Sequence, residues 1–136
     1  MSKIPEPTDR EMAILKVLWE MEEASVRQVY ERLRAELPIV QNTVQAFLRT
    51  MTEKGLVTHR TEGRSFVYSA AASPETTRGR LLDRVLQRAY DGALDRLVEG
   101  AIGLRPPSPE EVTRLRELLD ELEAQGEGSQ GGGDRS

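Results

Sequence analysis

Asn42, Thr43, Gln45, Ala46, Arg49 and Thr50 have side chains suited to reading the edges of nucleic-acid bases. The amides of Asn and Gln can make paired hydrogen bonds to adenine, methyl groups of Thr and Ala fit against the thymine methyl, and Arg reaches guanine or phosphate. At helical spacing these residues share one face, opposite an apolar stripe of Val44, Phe47, Leu48 and Met51. A solvated helix face shows the same residue types, so the reading depends on what surrounds it. Just downstream, Arg60 and Arg64 flank the turn "TEGR". Arginines there meet phosphate or the minor groove if the hairpin lies on DNA, and solvent if it does not.

Net charge at first argues against such a role. The 136 residues carry 19 Lys and Arg against 23 Asp and Glu, a net charge of −4. The acidity is not evenly spread. Residues 1–72 hold ten basic and ten acidic residues, while residues 73–136 hold nine and thirteen. Within residues 42–68, Arg49, Lys54, Arg60 and Arg64 face only Glu53 and Glu62, a local balance of +2. Whole-chain charge therefore says little about this one face.

Other chemistries find little support. The chain has no cysteine and one histidine, His59, so disulfides, thiol catalysis, thiolate metal sites and multi-histidine metal sites are absent. No nucleophile motif, phosphate loop or metal-ligand spacing occurs, and no cofactor is expected. The pairs Glu22/Glu23 and Glu110/Glu111 read as a helix end and a helix start. His59 is expected to be a partly buried strand residue, Trp19 and Tyr68 core, and Tyr90 core or interface. No run of about 18 apolar residues suggests a membrane span, and "MSKIPEPTDRE" lacks the apolar core of a signal peptide, so a cytoplasmic location is expected.

The elements that must position these side chains are well marked. Thr8 with Glu11, and Ser25 with Gln28, form capping boxes ahead of two amphipathic helices, the first over about 9–21 and the second ending before Pro38. A third begins near Asn42, whose side chain is expected to cap it, and ends at Gly55. The period then changes to two: "LVTHR" and "SFVYS" around "TEGR" predict a β-hairpin. Three helices followed by a hairpin make a winged helix-turn-helix over residues 1–72, with residues 42–54 as reading helix and 56–69 as wing. An unrelated small α+β unit is the alternative.

From Ser73 the pattern is helical again. "SPETTRGRLLDRVLQRAY", "ALDRLVEGAI" and a last helix from Ser108 to about Ala124 carry broad apolar stripes, followed by a polar, glycine-rich tail over 125–136 expected to be disordered. Leu82, Leu86, Tyr90, Leu94, Leu97, Val98, Leu115, Leu118, Leu119 and Leu122 supply more apolar surface than these helices can hide from one another. Residues 73–124 are therefore expected to form a helical homodimerisation region. The fold class is mainly α with a small β-hairpin.

The chain resembles the penicillinase-repressor group of winged-helix regulators, the BlaI/MecI/CopY family. The resemblance is carried by "IPEPTDREMAILKVLWE", "NTVQAFLRTMTEKGLV", "GRSFVYS" and "AYDGALDRLVE", and covers about residues 3–123. It implies a dimeric repressor, not an enzyme, that binds inverted repeats in operator DNA. It puts Asn42, Thr43, Gln45 and Ala46 at the base-reading end, Arg49 near the backbone and Arg64 in the wing. Members often have a basic residue where this sequence has Thr50. In antibiotic-responsive members a membrane-bound sensor triggers cleavage of an Asn-Phe bond, and Gly100-Ala101 stands at that place here. The contrasting function is a winged-helix protein-interaction module without sequence-specific DNA binding.

Overall fold

The computed structural model describes residues 4–128, with side chains described as far as residue 126. The chain divides into two compact units between Val85 and Leu86. The first is a winged helix-turn-helix. Its α1, Asp9–Met21, begins where Thr8 Oγ1 accepts the Glu11 N–H at 3.2 Å and the Glu11 carboxylate accepts the Thr8 N–H at 2.9 Å. The same reciprocal pair, Ser25 with Gln28, starts α2, Val26–Leu33. Each box satisfies amide groups that a helix start leaves without a partner.

The third helix, α3, spans Gln41–Lys54 and corrects one expectation. Val40, not Asn42, is its N-cap, with no side-chain cap bond. The Thr43 and Val44 amides bond back to the Val40 carbonyl instead. A capping residue needs extended backbone, which Val40 has at φ −109° and ψ 161°; Asn42 is already one residue inside the helix, so its amide points outward. At the other end Gly55 adopts φ 85°, and the Leu56 N–H reaches back to the Met51 carbonyl at 2.9 Å. That left-handed stop favours glycine, because any Cβ there crowds the backbone.

The wing belongs to a three-stranded antiparallel sheet rather than an isolated hairpin. Strand β1 is Ala24–Ser25, β2 is Val57–Glu62 and β3 is Ser65–Ala70, in the order β1-β3-β2. Ala24 pairs with Tyr68 and Ser25 with Val67. Two residues are too few to leave a period in the sequence. The hairpin turn is only Gly63 and Arg64, because Glu62 pairs with Ser65; positive φ at Gly63 alone is the pattern of a type II′ turn.

The core lies where α1, α2, α3 and the sheet meet. Ile14, Leu15 and Leu18 of α1, Val29 of α2, and Val44, Leu48 and Met51 of α3 are no more than 1% exposed. Burying each such side chain contributes about 1.5–3 kcal/mol. Tyr68 closes the core from β3, and Trp19 is partly buried, its indole N–H donating to the Ala72 carbonyl at 2.9 Å.

Helix α4, Pro74–Tyr90, starts at Ser73, whose hydroxyl accepts the Thr76 N–H. Its first three turns belong to the first unit: Thr77 is buried, and Arg84 donates to the Ile4 carbonyl at 2.6 Å and to Glu6 at 3.4 Å. The helix stops at Asp91 and Gly92, both with positive φ. In the second unit α5 is Leu94–Leu104, and α6 is Pro109–Gly128, capped by a reciprocal Ser108–Glu111 pair. Both run past their expected ends. Residues 125–128 are helical because a glycine costs only about 1 kcal/mol in a helix and does not block it; residues 129–136 of the expected tail lie outside the described residues. None of the described helices is long and apolar enough to cross a membrane.

One contact of the first unit has no counterpart in the sequence pattern. Lys54, at the end of α3, donates to Glu11 at 2.7 Å, and the Glu11 side chain is only 2% exposed. Burial is the largest single influence on this carboxyl and pushes its pKa up. The bonds from Lys54 and Thr8 together push harder the other way, so the pKa lies below its ordinary value. A carboxylate with a depressed folded pKa stabilises the fold above its unfolded pKa of about 4.3, and the contribution is lost as pH falls through the folded value. Denaturant unfolding from pH 7 down to pH 3 should show this loss. Glu11→Gln should cost about 1–2 kcal/mol at pH 7 and flatten the acid limb below about pH 4.5.

Candidate nucleic-acid interface

Helix α3 has two faces of opposite character. Val44, Leu48 and Met51 are wholly buried, whereas Asn42, Thr43, Gln45, Ala46, Arg49 and Thr50 are all exposed. Since the helix is capped by backbone alone, the Asn42 amide makes no hydrogen bond among the described residues. Two amides, a hydroxyl and a methyl group thus project from the first two turns of a helix packed from behind, with the Thr50 hydroxyl in the third. Arg49 forms no ion pair among the described residues, and its charge acts on the Tyr68 phenol: burial raises that pKa, and the guanidinium opposes the rise.

The two faces of the wing also differ. Strand alternation puts Arg60 on the outer face, where it donates to Glu23 at 3.2 and 2.9 Å and lies 3.5 Å from Glu62. Its bond to Glu23 lowers that carboxyl's pKa. Glu23 is brought there by the turn after α1, in which Glu22 takes φ 73°. Arg64 occupies the second turn position, exposed and without an ion pair among the described residues.

The other face is aromatic. His59 pairs with Tyr68 across the strands, stacks on Phe66 with ring centroids 4.3 Å apart and planes at 22°, and meets Tyr68 edge-on at 5.4 Å. His59 is exposed, which corrects the expectation of partial burial: the hairpin projects beyond the core, and of β2 only Val57 is covered. The stack is legible only with the register in hand, because a two-residue turn is what sets His59 opposite Tyr68.

Comparison with known proteins fits this geometry. Residues 7–121 match the family model of the penicillinase repressors. The chain belongs to the penicillinase-repressor family. It is 29% identical over 121 residues to the penicillinase repressor of Bacillus licheniformis, covering 89% of this chain and 94% of that one. It is 31% identical over 130 residues to the transcriptional regulator BlaI of Mycobacterium tuberculosis, covering 91% and 90%. It is also similar, at 31% identity and a TM-score of 0.48 over 55% of this chain and 92% of that one, to the solution structure of the Bacillus licheniformis BlaI monomeric form in complex with the blaP half-operator.

In this penicillinase-repressor family member, none of the described side chains of residues 86–126 is buried. Leu94, Leu119 and Leu122 are 60% exposed or more, Leu82, Val98, Leu115 and Leu118 are also exposed, and Leu86, Tyr90 and Leu97 are half-buried. A trough of about 590 Å³ beside α5 and α6 is lined by Leu97, Val98, Ala101, Ile102, Leu104 and Leu115 among others. Gly100 and Ala101 lie inside α5. A Cβ at position 100 would stand 2.4 Å from the Tyr90 hydroxyl, so the tyrosine occupies the space that any larger residue needs. Glycine to alanine inside a helix normally stabilises by about 1 kcal/mol. Here Gly100→Ala should lower the melting temperature, whereas in a Tyr90→Ala background the same change should raise it; an additive result in thermal melts would contradict the contact.

Proposed function

We propose that this DNA-binding transcriptional repressor acts as a homodimer that occludes a promoter by gripping an inverted-repeat operator. Each α3 enters a major groove with Asn42, Thr43, Gln45 and Ala46 toward the bases, while Arg49 and Arg64 meet the backbone on either side. The observation that carries this reading is the exposed, uncapped face of α3, on a helix whose opposite side is wholly buried, next to a wing, in a chain of this family. Polar uncharged side chains at the groove supply sequence discrimination, and the flanking cations supply affinity. Thr50 adds no charge to the third turn.

The apolar stripes of α4, α5 and α6 support the dimer. Leu82, Leu86, Tyr90, Leu94, Leu97, Val98, Leu115, Leu118, Leu119 and Leu122 are covered by the same residues of a second copy, an arrangement that a twofold axis makes self-complementary. Because such dimers match their own symmetry to that of the DNA, half-sites separated by about ten base pairs or a small multiple are expected.

Selection of duplexes from a random pool by the full chain, followed by gel shift and sedimentation, tests the reading. A palindromic sequence should be enriched, and it should bind two chains. Gln45→Ala should relax the preference at one position of each half-site by about 1–3 kcal/mol. Arg64→Ala should weaken all sequences alike and reduce the salt slope by about one unit for each phosphate it no longer neutralises. Enrichment of nothing, or tight binding of one protein chain per duplex, would contradict the proposal, and capture of a protein partner without DNA affinity would favour an interaction module instead.

A further inference from the structure

The outer and inner faces of the wing offer DNA different things. On the outer face Arg60 is held by the Glu23 carboxylate at 2.9 and 3.2 Å with Glu62 at 3.5 Å, so one guanidinium is surrounded by two carboxylates. That cluster carries net negative charge, and a phosphate must break a two-pronged bond to reach the arginine. On the inner face no carboxylate pairs with His59 or Phe66 among the described residues. Phe66, on β3 one pair beyond the turn, is 46% exposed, and His59 lies flat on it.

The stack is anchored on the core side by Tyr68, which is buried. His59 and Phe66 both meet Tyr68 edge-on, at 5.4 and 6.2 Å, and Arg49 of α3 acts on the Tyr68 phenol. Arg49 and Arg64 are both free of ion pairs among the described residues. An exposed pair of stacked rings on a wing whose turn carries the unpaired Arg64, in the same unit as a helix proposed to read bases, matches one occupant: the sugar–phosphate backbone of the same duplex. A ring such as Phe66 packs on the C–H surface of deoxyribose. The imidazole fixed on it donates an N–H to a phosphate oxygen.

We propose that the wing docks on the backbone flanking each half-site through its inner face, His59 stacked on Phe66, with the Arg60 side turned away from DNA. The inference rests on the DNA-reading role proposed for α3. Arg60 then serves to tie the wing to the turn after α1.

The test uses the full chain and the duplex that it enriches from a random pool, with fluorescence anisotropy at several salt concentrations and hydroxyl-radical footprinting. Phe66→Ala and His59→Ala should each weaken binding about tenfold. The base preference should stay intact, the salt slope of Phe66→Ala should not change, and protection of the sugars flanking the half-site should fade. Arg60→Ala should lose less than either. Should Phe66→Ala lower the melting temperature, Phe66→Leu, which keeps apolar bulk without the ring, is read in its place with the same expectation. Wild-type affinity in the ring variants, unchanged flanking protection, or a greater loss in Arg60→Ala would overturn the inference while leaving the role of α3 standing. Failure to enrich any duplex would remove both.

Discussion

The packing of Val44, Leu48 and Met51 into the core is the constraint on which the rest of the structure depends. These residues fix the rotation of α3 about its own axis, so that Asn42, Gln45 and Arg49 face outward together. A helix of 14 residues does not hold such an orientation in water by itself. It is imposed from behind by Ile14, Leu15 and Leu18 of α1 and by Val29 of α2. The Glu11–Lys54 pair then joins the start of α1 to the end of α3, and Gly55 turns the chain into the sheet from which the wing projects. The side chains proposed to face the bases are thus ordered by contacts on the other side of the helix.

Charge follows a similar division of labour. The acidity of the chain is concentrated in the second half, and in the winged unit most carboxylates are committed to nearby cations: Glu11 to Lys54, Glu20 to Arg32, Glu23 to Arg60 and Glu31 to Arg27. The exposed pairs, all but Glu11–Lys54, stabilise a fold by less than about 1 kcal/mol each. Their larger effect is to decide which cations stay available. Arg49 and Arg64 make no ion pair among the described residues, whereas Arg60 pairs with Glu23 and Glu62. Counting arginines along the hairpin gives Arg60 and Arg64 equal weight; the geometry separates them.

Most of the winged unit is legible in the sequence. Helix starts with side-chain caps leave a three-residue spacing, and Thr8–Glu11 and Ser25–Gln28 both form, as does the left-handed stop at Gly55. What escapes has identifiable reasons. The start of α3 uses only backbone groups, so the pattern points instead to an asparagine one residue inside the helix. Strand β1 is two residues long and exists through its pairing with β3. The Glu11–Lys54 bond spans 43 positions, and no local pattern anticipates it. His59 sits in a strand-like run, but whether a strand is covered depends on how far it projects from the core. The ends of α5 and α6 lie beyond the boundaries that their glycines suggest, because glycine weakens a helix without ending it.

The central claim is that one face of α3 and the inner face of the wing form a single DNA-binding surface. Amide chemical-shift mapping of the isotope-labelled full chain, titrated with the duplex that it enriches, addresses this most directly. The account predicts that shifts concentrate at residues 41–50 and 59–66 and spare the outer cluster around Glu23. Shifts confined to the surroundings of Glu23, or to α5 and α6, would contradict it.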